Sequence, residues 1–214
     1  MFPSPVYLIT DPLLCLETPL SKGHSLFDVV EQALQGGVSF VQYRAKNDSR
    51  REKYETAVGL REILDRYSAT LIVNDDIDLA LAARADGVHL GQDDLPLRVA
   101  RKVLGEKMIV GASTHSLEEA IRAEAEGADY IGLGPIFPTE TKKNAVPPLG
   151  TRSISEVKRE VQIPLYAIGG IRLEHLPELL AAGADGVAVV SGMAGDIRSN
   201  ARRWIATVEE NKPR

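Results

Sequence analysis

Short apolar, β-branched runs recur through this chain at residues 6–10, 39–44, 70–74, 87–90, 108–113, 130–134, 165–169 and 186–191, and amphipathic stretches separate them from end to end. The runs are almost continuously apolar, as strands are when both faces of a sheet are covered. Eight strands with eight intervening or trailing helices predict a closed (β/α)8 barrel, the TIM-barrel architecture, rather than an open sheet. No linker or low-complexity segment interrupts the pattern, so residues 1–214 read as a single domain, and that length fits one barrel-sized core. A ring of parallel strands carries all its C-terminal ends to one face, where residues remote in sequence meet.

Polar or glycine clusters stand at nearly all of those ends. They are Gln42-Tyr43-Arg44-Ala45-Lys46, Asn74-Asp75-Asp76, His89-Leu90-Gly91-Gln92-Asp93-Asp94, Ser113-Thr114-His115, Thr139-Glu140-Thr141-Lys142, Gly169-Gly170 and Ser191-Gly192. The opposite ends follow a different grammar. Gly36-Gly37-Val38-Ser39, Ala85-Asp86-Gly87, Gly127-Ala128-Asp129 and Gly183-Ala184-Asp185 each end a helix at a small residue and turn into a strand. Glycine just past a helix takes the left-handed conformation without steric cost. Asp86, Asp129 and Asp185 therefore read as turn formers, not as catalytic groups. Ser116 with Glu119 predicts a capping box at the next helix. The longest irregular stretch, 135–152, follows the sixth strand and reads as a lid over the site.

Composition narrows the function classes. The net charge of −5, with basic residues scattered, leaves no footprint for nucleic acid or an anionic membrane. One cysteine, Cys15, excludes an internal disulfide and suits a reducing compartment. Residues 1–10 lack the basic-then-apolar layout of a signal peptide, and no apolar run approaches bilayer-spanning length. A cytoplasmic protein acting on small molecules is expected. Its oligomeric state is left open, a homodimer being allowed.

The clusters point to phosphate chemistry. Alternation places Gln42, Arg44 and Lys46 on one side of their strand, where a guanidinium fork and a mobile ammonium can hold a diphosphate. A solvated strand end paired with Asp48 is the structural alternative. The functional one is preferred because two cations alternate out of an apolar strand. Asn74-Asp75-Asp76 and Gln92-Asp93-Asp94 follow neighbouring strands. Two hard oxygen ligands with room for water and phosphate describe a magnesium site, with Asp75 and Asp94 as the ligands. Asp76 reads instead as a helix N-cap, and Asp93 reads either way. Ser113 is a binding candidate. His115 reads equally as a general base or as a helix-start residue. His24 and His175 have no supporting context, and His89 reads as barrel interior. Thr139, Thr141 and Lys142 can donate to phosphate oxygens from a loop. Gly169-Gly170 and Ser191-Gly192, after the last two strands, let backbone N–H groups approach a second phosphate.

On these residues the chain resembles the thiamine phosphate synthase family. The matching segments run from Leu8-Ile9-Thr10-Asp11 through Gln42-Tyr43-Arg44-Ala45-Lys46, Ile72-Val73-Asn74-Asp75, Gly87-Val88-His89-Leu90-Gly91-Gln92-Asp93-Asp94, Gly132-Leu133-Gly134-Pro135-Ile136-Phe137-Pro138-Thr139-Glu140-Thr141-Lys142 and Ala167-Ile168-Gly169-Gly170-Ile171 to Gly183-Ala184-Asp185-Gly186-Val187-Ala188-Val189-Val190-Ser191. The resemblance implies a transferase that joins a hydroxymethylpyrimidine diphosphate to a thiazole phosphate. Its products would be thiamine phosphate and pyrophosphate, with carbon dioxide from a carboxylated thiazole. It implies that Gln42, Arg44, Lys46, Asn74 and Lys142 bind the pyrimidine diphosphate and that Asp75 and Asp94 hold Mg²⁺. Ser113 would lie by the pyrophosphate, and Thr139, Thr141, Gly170, Val190 and Ser191 would hold the thiazole phosphate. Arg44, Lys46, Ser113 and Lys142 would carry the catalysis. Tyr43 stands where an aliphatic residue is common and should face the barrel wall. A thiazole tautomerase-like isomerase would need no such diphosphate-and-metal set, and a metabolite sensor would need less of one.

Overall fold

The computed structural model describes residues 4–11, 25–139 and 147–211. Eight parallel strands close in chain order into a barrel: β1 (Val6–Ile9), β2 (Phe40–Tyr43), β3 (Thr70–Asn74), β4 (Gly87–Leu90), β5 (Ile109–Thr114), β6 (Tyr130–Leu133), β7 (Leu165–Ile168) and β8 (Gly186–Val189). Around it run α1 (Leu26–Gln35), α2 (Arg50–Arg66), α3 (Ile77–Ala82), α4 (Leu97–Leu104), α5 (Leu117–Ala125), α6 (Arg152–Glu160), α7 (Leu176–Ala181) and α8 (Ile197–Asn211). None of the described helices is long and apolar enough to cross a membrane.

Strand alternation divides the apolar residues between two cores. One lies between sheet and helices and holds Val41, Tyr43, Leu71, Val73, Val88, Val110 and Trp204 among others. Tyr43, expected against the barrel wall, faces outward into the helical layer. The second fills the barrel and is mostly aromatic: Tyr7, Phe40, Tyr130 and Tyr166, with Ile9, Ile72 and Ala188. Tyr7 stacks on Phe40 at 3.9 Å between centroids, and Tyr130 and Tyr166 meet Tyr7 edge-on at 5.7 and 5.6 Å. Glycine makes the room. A Cβ at Gly111, the β5 residue paired with Tyr130, would collide with the end of the Tyr130 ring.

Asp86, Asp129 and Asp185 do more than shape turns. Asp86 Oδ2 accepts the Leu71 N–H at 2.7 Å and the Arg61 guanidinium at 2.6 Å. Asp129 takes Val110 N–H and Arg101 at 2.7 and 2.6 Å, and Asp185 takes Leu165 N–H and Lys158 at 2.8 and 3.0 Å. Each aspartate, standing before an even-numbered strand, ties the odd strand beside it to a helix cation. The bottom of the barrel is pinned three times over by one device, which leaves the other face for chemistry.

Two local expectations are corrected. Ser116 caps α5 by accepting Glu119 N–H at 3.1 Å, but the box does not close. Glu119 Oε2 turns to His115, accepting its N–H at 2.7 Å and meeting Nδ1 at 3.1 Å. Asp76 occupies the N-cap position of α3 without making a side-chain cap. Its carboxylate instead binds Arg50 at 2.8 Å and Lys53 at 2.9 Å, because two α2 cations outcompete neutral backbone donors.

Candidate active site

The C-terminal ends of the strands enclose a cavity of about 1080 Å³. Gln42, Arg44, Lys46, Asn74, Asp75, Asp94, Ser113, Thr139, Gly170, Val190 and Ser191 all line it. Cys15, His24, Thr141 and Lys142 lie outside the described residues. Both flanks of the 135–152 stretch are bonded to the barrel or to each other. Ile136 and Phe137 N–H groups reach Ile168 and Gly169 carbonyls, and Leu149 and Gly150 reach Pro135 and Ile136.

One wall is cationic and starts at β2. The strand itself ends at Tyr43, yet alternation continues: Tyr43 and Ala45 are buried outward, while Gln42, Arg44 and Lys46 face the cavity. Arg44 is braced from β1. Its N–H donates to Thr10 Oγ1 at 3.0 Å and its guanidinium to Asp11 Oδ2 at 2.9 Å. One face of the fork is thus held while Lys46 stays exposed at the rim.

The adjoining wall, beyond β3 and β4, is acidic. Asp75 sits at φ 63°, a left-handed conformation that aspartate tolerates better than most residues, and its N–H bonds His89 O at 2.9 Å. That twist sends Asp75 into the cavity while Asp76 turns back to α2. Asp94 is fixed by accepting Gly91 N–H at 2.6 Å. The Asp75 carboxyl is pushed up to about 6. Burial is the main cause, followed by the hydrogen bond to Asp94 and that group's negative charge, with Lys46 and Arg44 pulling the other way. The two carboxyls therefore stand together, within electrostatic reach of both cations. Among the described residues no group of three or more His, Cys, Asp or Glu side chains gathers to hold a metal.

The third side is backbone. Gly169 and Gly170 have φ 95° and 64°, and a Cβ on Gly170 would collide with the Pro138 carbonyl. The glycine pair thus lets residues 135–138, just beyond β6, pass close against the end of β7. Ser191 opens a short 3-10 turn, Ser191–Met193, directly beyond β8.

Several residues that line the cavity or stand behind it were not singled out by the sequence pattern. Thr10 and Asp11 appear only as part of a matching segment, yet they brace Arg44. Tyr7 reaches the cavity floor, where its hydroxyl accepts the Gln42 amide at 2.7 Å. His115, which the sequence reads equally as a general base or as a helix-start residue, lines the cavity with Glu119 on its Nδ1. Arg172 adds a cation near the glycine pair.

A family model described as thiamine monophosphate synthase matches residues 6–193. Thiamine-phosphate synthase from Shouchella clausii is 47% identical over 190 residues, covering 88% of this chain and 91% of the relative. That from Chloroflexus aurantiacus is 45% identical over 205 residues, covering 95% and 92%. A solved structure, thiamine phosphate pyrophosphorylase from Pyrococcus furiosus, superposes with a TM-score of 0.84 at 40% identity, covering 96% of this chain and 95% of that one. A match that spans the barrel from the first strand to the turn after the last leaves one assignment: the chain belongs to the thiamine monophosphate synthase family of transferases.

Proposed function

We propose that the cavity couples 4-amino-5-hydroxymethyl-2-methylpyrimidine diphosphate to a thiazole phosphate, releasing pyrophosphate. The observation that carries this reading is the gathering of Arg44 and Lys46 with Asp75 and Asp94 at the ends of successive strands in one cavity that the Gly169-Gly170 and Ser191 backbone also lines. A single-phosphate isomerase would have no use for the first set.

The chemistry is a dissociative substitution. The bond from the pyrimidine methylene to the diphosphate oxygen breaks, and the electron-rich ring carries the positive charge. The thiazole nitrogen then attacks that carbon with its lone pair. It bears no proton, so no strong base is required. A carboxylated thiazole loses carbon dioxide in addition. Catalysis is then placement and charge compensation. Arg44 and Lys46 grip the leaving diphosphate, Gln42 and Asn74 orient the pyrimidine, and Ser113 donates to a diphosphate oxygen. Gly170, Val190, Ser191 and Thr139 seat the thiazole phosphate. Thr141 joins them and Lys142 joins the diphosphate set by resemblance.

Asp75 and Asp94 fit Mg²⁺. Two carboxylates crowded enough for one to hold a proton near neutrality leave a divalent cation a natural place, and Mg²⁺ takes few protein ligands when phosphate and water supply the rest. Bound there, it would stabilise the charge building on the departing diphosphate. Supplying both substrates with and without EDTA tests the reading. Pyrophosphate release that stops with EDTA and returns with Mg²⁺ supports it, whereas thiazole isomerisation without metal, or binding without turnover, refutes it.

A pH dependence follows from Asp75. Its folded value near 6 lies above the ordinary 3.8, so the folded chain holds a proton that the unfolded chain has lost. Stability without metal should therefore fall as pH rises from about 4 to 6. Mg²⁺ binds the deprotonated pair, so its thermal protection should grow between pH 5 and pH 7. Melting curves at both values, with and without Mg²⁺, check the sign; equal protection would detach the pair from the metal.

A further inference from the structure

We propose that a line of hydrogen bonds through the barrel interior sets the direction of the Ser113 hydroxyl, making Tyr7, Tyr130 and His89 positioning residues for the reaction. The inference rests on the reading that Ser113 meets the leaving diphosphate.

The line draws on five strands. Gln42 Nε2 donates to Tyr7 Oη at 2.7 Å, and Tyr7 Oη lies 2.7 Å from Tyr130 Oη. Tyr130 Oη lies 3.0 Å from His89 Nδ1, and His89 Nε2 lies 2.9 Å from Ser113 Oγ. Each link has one proton to place, so the first donor orders the rest. The amide N–H can only donate. Tyr7 therefore accepts it and sends its own proton to Tyr130, which sends its proton to Nδ1. All three side chains are buried, which favours their neutral forms, and burial holds both phenols well above their usual range, so each ring keeps one proton. The imidazole proton must then sit on Nε2 and be donated to Ser113 Oγ. The serine's own proton is left to point into the cavity, where a phosphate oxygen accepts it. In the reverse order Ser113 would donate to His89 and show the phosphate only lone pairs.

Packing alone does not call for these hydroxyls. Phe40 fills the same core beside Tyr7, and phenylalanine at 7 or 130 would occupy the same space. The polar end of Tyr130 is instead given room: an added Cβ at Gly111 would strike its Oη as well as the ring.

Nitrogen-15 chemical shifts of His89 in the full-length chain, assigned by loss of the signal in His89→Asn, report the tautomer directly. The Nε2–H form is expected, and a dominant Nδ1–H form overturns the relay. Tyr130→Phe should lower kcat by about ten- to a hundredfold, the cost of one mis-set hydrogen bond to a charged group, with little change in KM for the thiazole phosphate. If Tyr130 acts through Ser113, adding Tyr130→Phe to Ser113→Ala should cost nothing more. The same loss in both backgrounds would mark Tyr130 as structural and overturn the inference. Should Tyr130→Phe fold poorly, Tyr7→Phe cuts the line one link earlier and should shift His89 towards a tautomer mixture; an unchanged Nε2–H signal there refutes control from Gln42. The two readings fail separately. No pyrophosphate from the wild-type chain overturns the reaction, whereas an Nδ1–H tautomer in an active chain overturns only the relay.

Discussion

Asp94→Asn is expected to cut pyrophosphate release by about a hundred- to a thousandfold while the melting temperature holds or rises. Asparagine keeps an oxygen to accept the Gly91 N–H, so the turn after β4 survives, whereas alanine would lose it. What disappears is one negative charge of a crowded pair, and with it, on the proposed reading, half of the protein's hold on Mg²⁺. Charge stabilisation by a metal contributes several kcal/mol, and each 1.36 kcal/mol is tenfold in rate, which sets the size of the loss. Relief of repulsion sets the sign for stability, and it predicts that Asp75 titrates closer to an ordinary aspartate in the variant. Asp93→Asn is the control: Asp93 is exposed at the cavity edge, and its rate should stay within about twofold of wild type, as for most surface changes. Steady-state pyrophosphate release at saturating Mg²⁺, with melting curves alongside, decides the matter. An Asp94→Asn enzyme at the wild-type rate would remove Asp94 from the metal site.

The barrel was legible because both faces of every strand are covered. The apolar runs at 70–74 and 87–90 coincide with β3 and β4 as observed. Where the reading overran, as at 186–191 against Gly186–Val189, the last residues have left the sheet to form the cavity wall. For the site, strand-end position was enough to say which side chains face inward. It could not say what they touch. Asp75 and Asp76 are adjacent in sequence, yet one backbone twist at φ 63° sends one to the cavity and the other to Arg50 and Lys53. Glu119 has the spacing of a box partner, but its Oε2 takes the His115 N–H and meets Nδ1 instead. The interior line from Gln42 to Ser113 was hidden for a different reason. Tyr7 and Tyr130 lie in apolar runs and read as filling, and only closure of the barrel brings β1 against β6 across the axis.

Arg44→Ala is the second large effect, expected at about a hundred- to a thousandfold in kcat/KM, the usual cost of removing one preorganised donor from a developing anion. Arg44→Lys should recover only a small part, because a single ammonium cannot reproduce a fork that holds Asp11 with one nitrogen and leaves others for phosphate. Stability must be separated from chemistry, since removing Arg44 strips Asp11, whose side chain is 10% exposed, of its guanidinium. Asp11→Asn removes that buried charge. The double variant Asp11→Asn, Arg44→Ala should therefore regain most of the melting temperature lost by Arg44→Ala and none of the rate. Asp11→Asn alone keeps the guanidinium but loosens its aim, and should cost about tenfold, as a small misplacement of a clamp does. Kinetics of the four proteins give a cycle in which rate follows position 44 and stability follows the pair. If the rate returned together with the stability, Arg44 would be a strut for the β1–β2 end of the barrel, and the diphosphate clamp would have to be sought at Lys46.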